Sequence, residues 1–204
     1  NGYYIQETQA PYAYIRNSKD VYSFNFNVLP ETQAKATFSH TFNNDRTTAK
    51  IHIYKVDKET GKAVPQGDAS LSGAVYGLYA REVINHPDGA TGVMFNAGDL
   101  VATLTTDEKG EAEVNNLYLG KYYVKEITPS EGYLLDEEEH DVVCDYEGDL
   151  VAEVSRSTTS AEQVIKQPFQ LIKVSDNGDD TEAGLLAGAE FTAYLKSSLS
   201  VKAD

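Results

Sequence analysis

Lys121-Tyr-Tyr-Val-Lys-Glu-Ile-Thr-Pro-Ser-Glu-Gly-Tyr133 decides how this chain is read, because it occurs twice. Its counterpart is Gly2-Tyr-Tyr-Ile-Gln-Glu-Thr-Gln-Ala-Pro-Tyr-Ala-Tyr14, which sets Glu7 against Glu126 at an offset of 119 residues. A second motif, Ile51-His-Ile-Tyr-Lys-Val-Asp57, returns as Phe169-Gln-Leu-Ile-Lys-Val-Ser175 and sets Lys55 against Lys173 at an offset of 118. Each lysine motif is followed by a similar segment, Leu71-Ser-Gly-Ala-Val-Tyr-Gly-Leu-Tyr79 or Leu186-Ala-Gly-Ala-Glu-Phe-Thr-Ala-Tyr194. Two independent motifs with one period mark an array. Residues 1–49 are expected to be the back of one unit, 50–168 a whole unit, and 169–204 the front of a third.

Within the whole unit the segments are short and punctuated by turns. Strands are expected over Lys50–Asp57, Ala74–Ala80, Val101–Thr106, Glu111–Leu117, Lys121–Ile127, Asp141–Tyr146, Leu150–Ser155 and Gln163–Val174. Glu59-Thr-Gly-Lys62 and Asp107-Glu-Lys-Gly110 are turns, and Glu111–Leu117 is expected to pair with Lys121–Ile127 across Leu119-Gly120. This spacing, without a helical period, predicts an all-β sandwich.

Composition narrows the function. The 204 residues carry 17 Lys and Arg against 32 Asp and Glu, a formal charge of −15, which repels nucleic acid and anionic lipid. No apolar run is long enough to cross a bilayer, so no membrane contact is expected in this segment, and any export signal or anchor would lie outside it. The single Cys, Cys144, permits no internal disulfide and reads as a small core residue. No metal and no cofactor are expected. His40, His52, His86 and His140 are not closely paired, and the acidic runs Asp136-Glu-Glu-Glu-His140 and Asp176-Asn-Gly-Asp-Asp180 do not match a calcium loop. No phosphate loop or nucleophile elbow suggests a turnover enzyme.

The unusual feature is where the charges fall. Residues two apart on a strand share a face. Lys55 therefore continues the row Ile51 and Ile53, Lys173 the row Phe169 and Leu171, Glu126 the row Tyr122 and Val124, and Glu7 the row Tyr3 and Ile5. Phe38, His40, Phe42 and Asn44 form a similar row ending in an amide. Burial favours the neutral forms of such charges, or forces them to pair. A neutral amine beside a protonated Glu and a carboxamide has the parts needed to form an amide bond, with proximity supplying much of the acceleration. An ordinary salt bridge at strand ends, or snorkelling to water, is the alternative.

The set Lys55-Val-Asp57, Glu59-Thr-Gly-Lys62, Leu71–Tyr79, Asp107–Gly110, Leu119-Gly-Lys-Tyr-Tyr-Val-Lys-Glu126 and Gly132-Tyr133 resembles the CnaB-type (SpaA-like, prealbumin-like) domains of Gram-positive adhesins and pilins. The resemblance implies a reverse immunoglobulin-like sandwich in which a first-strand Lys joins a last-strand Asn or Asp, with a middle-strand Glu as catalyst. Carried over, Lys55 is the nucleophile and Glu126 the catalyst of the whole unit. Glu7 and Asn44 are the catalyst and acceptor of the preceding unit, and Lys173 is the nucleophile of the following one. Asn44 stands 11 residues before Lys55, and the residue 11 before Lys173 is Glu162. Glu is one methylene longer than the usual acceptor, so a buried Lys55–Glu126–Glu162 ionic cluster is expected there in place of a cross-link. The function implied is a stalk or spacer of an extracellular, cell-wall-anchored adhesin or pilin, with neighbouring domains of the same protein as partners. The alternative is an adhesive module contacting a host or matrix ligand through the loop Glu82–Asn96, which carries His86, Pro87 and Met94.

Overall fold

The computed structural model describes residues 2–25, 37–176 and 187–194. Residues 1–165 form one compact unit and residues 166–204 another. The first unit contains every strand named below, and no helix occurs among the described residues.

Two sheets face each other across the core. One is built from β3 (Thr48–Asp57), β8 (Glu111–Leu117) and β11 (Glu153–Glu162), in the order β11-β3-β8. The other is built from β4 (Val75–Ala80), β7 (Leu100–Thr105), β9 (Gly120–Thr128) and β10 (His140–Cys144), in the order β10-β9-β4-β7. Alternate residues of each strand point inward. Ala49, Ile51 and Ile53 of β3 pack against Tyr76 and Leu78 of β4, Tyr122 and Val124 of β9, and Val142 and Cys144 of β10, all essentially sealed from solvent. Burial raises the Cys144 thiol to about 11, so it acts as a small apolar filler. Two short ribbons complete the unit, β1 (Gly2–Gln6) with β2 (Val21–Asn25), and β5 (Ile84–Asn85) with β6 (Val93–Phe95).

Two expectations change. Glu111–Leu117 and Lys121–Ile127 do not pair, since β8 joins β3 while β9 lies between β4 and β10. Both strands carry an inward apolar row, so each serves as one wall of the sandwich, and the chain crosses between walls at Tyr118 and Leu119. Asn116, at φ 57°, starts that crossing. The second change is at the last strand. It runs over Glu153–Glu162, where two separate strands, Leu150–Ser155 and Gln163–Val174, were expected. It lies parallel to β3 in continuous register from Glu153 opposite Thr48 to Glu162 opposite Asp57. The first and last strands of the 50–168 span are thus direct neighbours.

The preceding segment is fastened to this sandwich. Arg46 donates to the carbonyls of Leu117 and Asn116, and its guanidinium lies 4.2 Å from the Tyr118 ring centroid. Asp149 accepts from the Ala10 N–H, and its carbonyl accepts from the Arg16 N–H. Farther out, Phe24 stacks on Tyr3 and Tyr22, and Tyr22 stacks on His40.

Candidate functional site

Lys55 is placed by its backbone before its side chain is considered. Its N–H donates to the Gly110 carbonyl, in the turn that opens β8. Gly110 has φ +77°, and a Cβ there would sit 2.8 Å from the Lys55 carbonyl oxygen, so only glycine fits. The Lys55 side chain continues the inward row Ile51 and Ile53 into the core, and it is fully buried.

Two carboxylates meet it, one from each sheet. Glu162, on β11, belongs to the strand alongside, where Ser160 pairs with Lys55 and Glu162 lies one inward position farther on. Lys55 Nζ is in contact with Glu162 Oε2. Glu126, on β9 across the sandwich, brings Oε1 to 3.5 Å from Nζ. All three side chains are sealed from solvent. The Tyr133 ring lies 4.8 Å from Nζ.

Each carboxylate is anchored by its other oxygen. Glu126 Oε2 accepts the Asp136 N–H at 2.8 Å. Glu162 Oε1 accepts from the Tyr76 hydroxyl at 2.5 Å, and Ser160 Oγ lies 3.2 Å away. Ser160 Oγ also lies 2.9 Å from Asp136 Oδ2, which His140 Nε2 meets at 2.8 Å. The inner atoms Lys55 Nζ, Glu126 Oε1 and Glu162 Oε2 make no well-formed hydrogen bond. Burial drives Lys55 below the ordinary lysine range, against the attraction of Glu126 and Asp136. Burial likewise raises Glu126 above the ordinary carboxyl range, against the Asp136 N–H bond and the charge of Lys55. Both shifts favour the uncharged amine and acid.

The structure brings together Lys55, Glu126 and Glu162, which the sequence singled out, and sets beside them Tyr76, Ser160 and Asp136, which it did not. Asp136 lies in an acidic run that reads as a solvated loop. Tyr76 reads as one aromatic in an apolar strand. Asp136, Glu138 and His140 bring ligand atoms within 4.8 Å of one another, but the Asp136 carboxylate is already engaged by His140 and Ser160.

A second, related arrangement lies in residues 2–49. Glu7 Oε2 accepts from the Asn44 side-chain amide at 2.7 Å and from the Asn17 N–H, ten residues on, just as Glu126 accepts from the N–H ten residues on. Around them the backbone bonds Tyr14 N–H to Pro11, Ile15 N–H to Asp45 and Thr47 N–H to Ala13 match Tyr133 to Ser130, Leu134 to Gln163 and Ile165 to Gly132. Ala13 even shares the positive φ of Gly132, 64° against 82°. Lys173 is exposed and belongs to the second compact unit. Of the loop Asp176–Asp180 only Asp176 is among the described residues, and of Leu186–Tyr194 all but Leu186.

The family model for the SpaA prealbumin-like fold domain matches residues 49–158, more than half of the chain. The chain belongs to the SpaA prealbumin-like domain family. Among solved structures, this SpaA-type chain is similar to the Bacillus anthracis TIE protein, at 23% identity and a TM-score of 0.55, covering 81% of this chain and 25% of that one. It is also similar to the group B streptococcus pilus 2b backbone protein, at 22% identity and a TM-score of 0.41, covering 60% of this chain and 43% of that one. The chain thus spans a quarter of the first protein and under half of the second. No curated protein matches it.

Proposed function

We propose that this chain is a stalk or spacer segment of an extracellular, surface-displayed pilin or adhesin, and that its 50–168 unit is closed by an amide between Lys55 and Glu162. The placement of these two residues carries the proposal. They sit on the first and last strands, side by side in one sheet, in contact inside a sealed pocket that also holds Glu126. Left ionic, the trio buries three charges whose desolvation their mutual attraction repays poorly. Condensation removes the amine's charge and discards Glu162 Oε2 as water, which eliminates one of the three unbonded atoms and turns Nζ into a neutral amide N–H.

The chemistry is a single turnover with no outside reagent. Neutral Lys55 Nζ attacks Cδ of Glu162, which enters as the neutral acid with its proton on Oε2, forming the N–C bond. Glu126 protonates the departing Oε2 hydroxyl, which leaves as water, and takes back a proton from Nζ, ending as it began. The sealed site excludes water from the reverse reaction, and the fixed neighbours need no diffusive encounter.

The mechanical consequence follows from the topology. A pull entering β3 and leaving by β11 would pass through the amide, so residues 56–161 would carry no load. By the chain-entropy argument for cross-links, closing a loop of this length also adds on the order of 4–5 kcal/mol. Glu7 and Asn44 are proposed as the catalyst and acceptor of a preceding unit, and Lys173 as the nucleophile of a following one. A ligand-binding role finds its best support in a cavity of about 280 Å³ beside Glu82–Pro87, also lined by Tyr12, Tyr118 and Asp145. The buried Lys55–Glu126–Glu162 arrangement between first and last strands supports the spacer.

Intact mass tests the bond. The purified protein should weigh one water less than its sequence, and Lys55→Ala should restore the full mass. An unshifted wild-type mass would leave a buried ionic cluster and remove the amide from the proposal.

A further inference from the structure

Glu162 stands where the preceding segment carries Asn44, and the two acceptors are held differently. The Asn44 amide donates to Glu7 and to the Ile15 carbonyl. Glu162 Oε1 instead accepts, from Tyr76 at 2.5 Å and with Ser160 Oγ at 3.2 Å, while its other oxygen faces Lys55. When the amine attacks, the oxygen kept in the product must carry the developing negative charge. Two hydroxyls already stand at that oxygen, on the side away from the nucleophile.

We propose that Tyr76 and Ser160 are catalytic residues, a hydroxyl pair that polarises the Glu162 carbonyl and stabilises its oxyanion, which lets a glutamate serve as acceptor here. The inference rests on the Lys55–Glu162 bond proposed above. Fixed donors in a water-free site need no reorganisation as charge builds, which is why such groups contribute strongly to acyl chemistry. Burial pushes the Tyr76 hydroxyl well above the ordinary tyrosine range, so it stays protonated and acts as a donor. Ser160 has one hydroxyl proton, placed between Asp136 Oδ2 and Glu162 Oε1. It donates to Asp136 at rest and turns to Oε1 as the oxyanion forms. Asp136 is then a positioning residue, tied to both halves of the site through its N–H to Glu126 and its carboxylate to Ser160. Proton balance is unchanged, because neither hydroxyl gives up its proton and Glu126 alone relays one from nitrogen to the leaving oxygen.

The test follows water loss over time by intact mass. Unfolded chain is recovered from inclusion bodies and diluted into refolding buffer. Wild type is compared with Tyr76→Phe, with Ser160→Ala, and with protein carrying 3-fluorotyrosine, whose hydroxyl is the stronger donor. Removing one such donor lowers an acyl-transfer rate about a hundredfold or more. Tyr76→Phe should therefore slow water loss by that order, Ser160→Ala should slow it less, and fluorination should speed it several-fold. Melting of Lys55→Ala against Lys55→Ala/Tyr76→Phe measures the stability lost with that hydrogen bond, and the fluorinated protein, which keeps the bond, reads the chemical role by itself. If wild type loses water and Tyr76→Phe does so at the same rate, the hydroxyl pair is refuted and the bond stands. Should Tyr76→Phe fail to fold, an unchanged rate in the fluorinated protein refutes it equally. A wild type that never loses water refutes the bond, and the hydroxyl pair with it.

Discussion

Lys55 and Glu126 are displaced in opposite directions by the same cause, loss of water, and each is opposed by the other's charge. Bond formation needs Lys55 neutral and both Glu126 and Glu162 in the acid form. Raising the pH deprotonates Lys55 below the usual lysine range and so speeds reaction. Raising the pH also ionises Glu126, which holds its proton above the usual carboxyl range, and that slows reaction. The rate of water loss on refolding should therefore be bell-shaped in pH, and Glu126→Gln should remove most of the rate. A rate that climbs steadily with pH would show that Glu126 relays no proton. Asp57 shows the opposite balance two residues on. Burial alone would raise it, but hydrogen bonds from Thr60, Gln66 and Tyr133 outweigh that and hold it below the carboxylate range. It is a charged anchor for the turn after β3, with no part in the bond.

At the scale of elements, β4 and β9 carry the deepest packing. Leu78, Tyr76, Tyr122 and Val124 are sealed against Ile51 and Ile53 of the facing sheet. Leu78→Ala removes apolar contacts from a fully buried site and should cost about 2–5 kcal/mol. Denaturant unfolding in a Lys55→Ala background measures this without a cross-link masking the loss. β11 behaves differently. Ser155-Arg-Ser-Thr-Thr159 gives no apolar alternation, and the inward row is held by Val154, Ser160 and Glu162. Its place beside β3 comes from the parallel backbone ladder and from the polar cluster at its end. That explains why the hydrophobic pattern suggested two strands, one overlapping only the start of β11 and one beginning just past its end.

For residues 1–165 as a whole, the notable feature is how the preceding segment is joined to the sandwich. Arg46 grips the end of β8 at Asn116 and Leu117, and Asp149 caps Ala10. A spacer that transmits force gains from such a joint, since a loose hinge would stretch before any domain bore load. Asp149→Ala should leave the sandwich core intact while loosening the joint. Hydrogen exchange should show a faster amide at Ala10, with Ile51, Ile53 and Val124 unchanged. Equal protection at Ala10 would mean that the joint is held elsewhere. The whole 204-residue chain carries a formal charge of −15, so self-repulsion also acts and is screened by salt.

The sequence by itself determined the β class, most of the strands, the repeat of motifs and the placing of Lys55 and Glu126 on inward rows, because alternation and turn chemistry are local. It also pointed to Glu162, though only by counting from a repeated lysine. Tertiary structure alone decided that β8 and β9 lie in different sheets and that β11 runs parallel beside β3. It alone brought Tyr76 to Glu162 and Asp136 to the neighbouring Ser160, from elements far away in the chain. A hydroxyl in an apolar strand and an aspartate in an acidic loop carry no local mark of their partner. Only the closing of two sheets over a buried lysine gives them one.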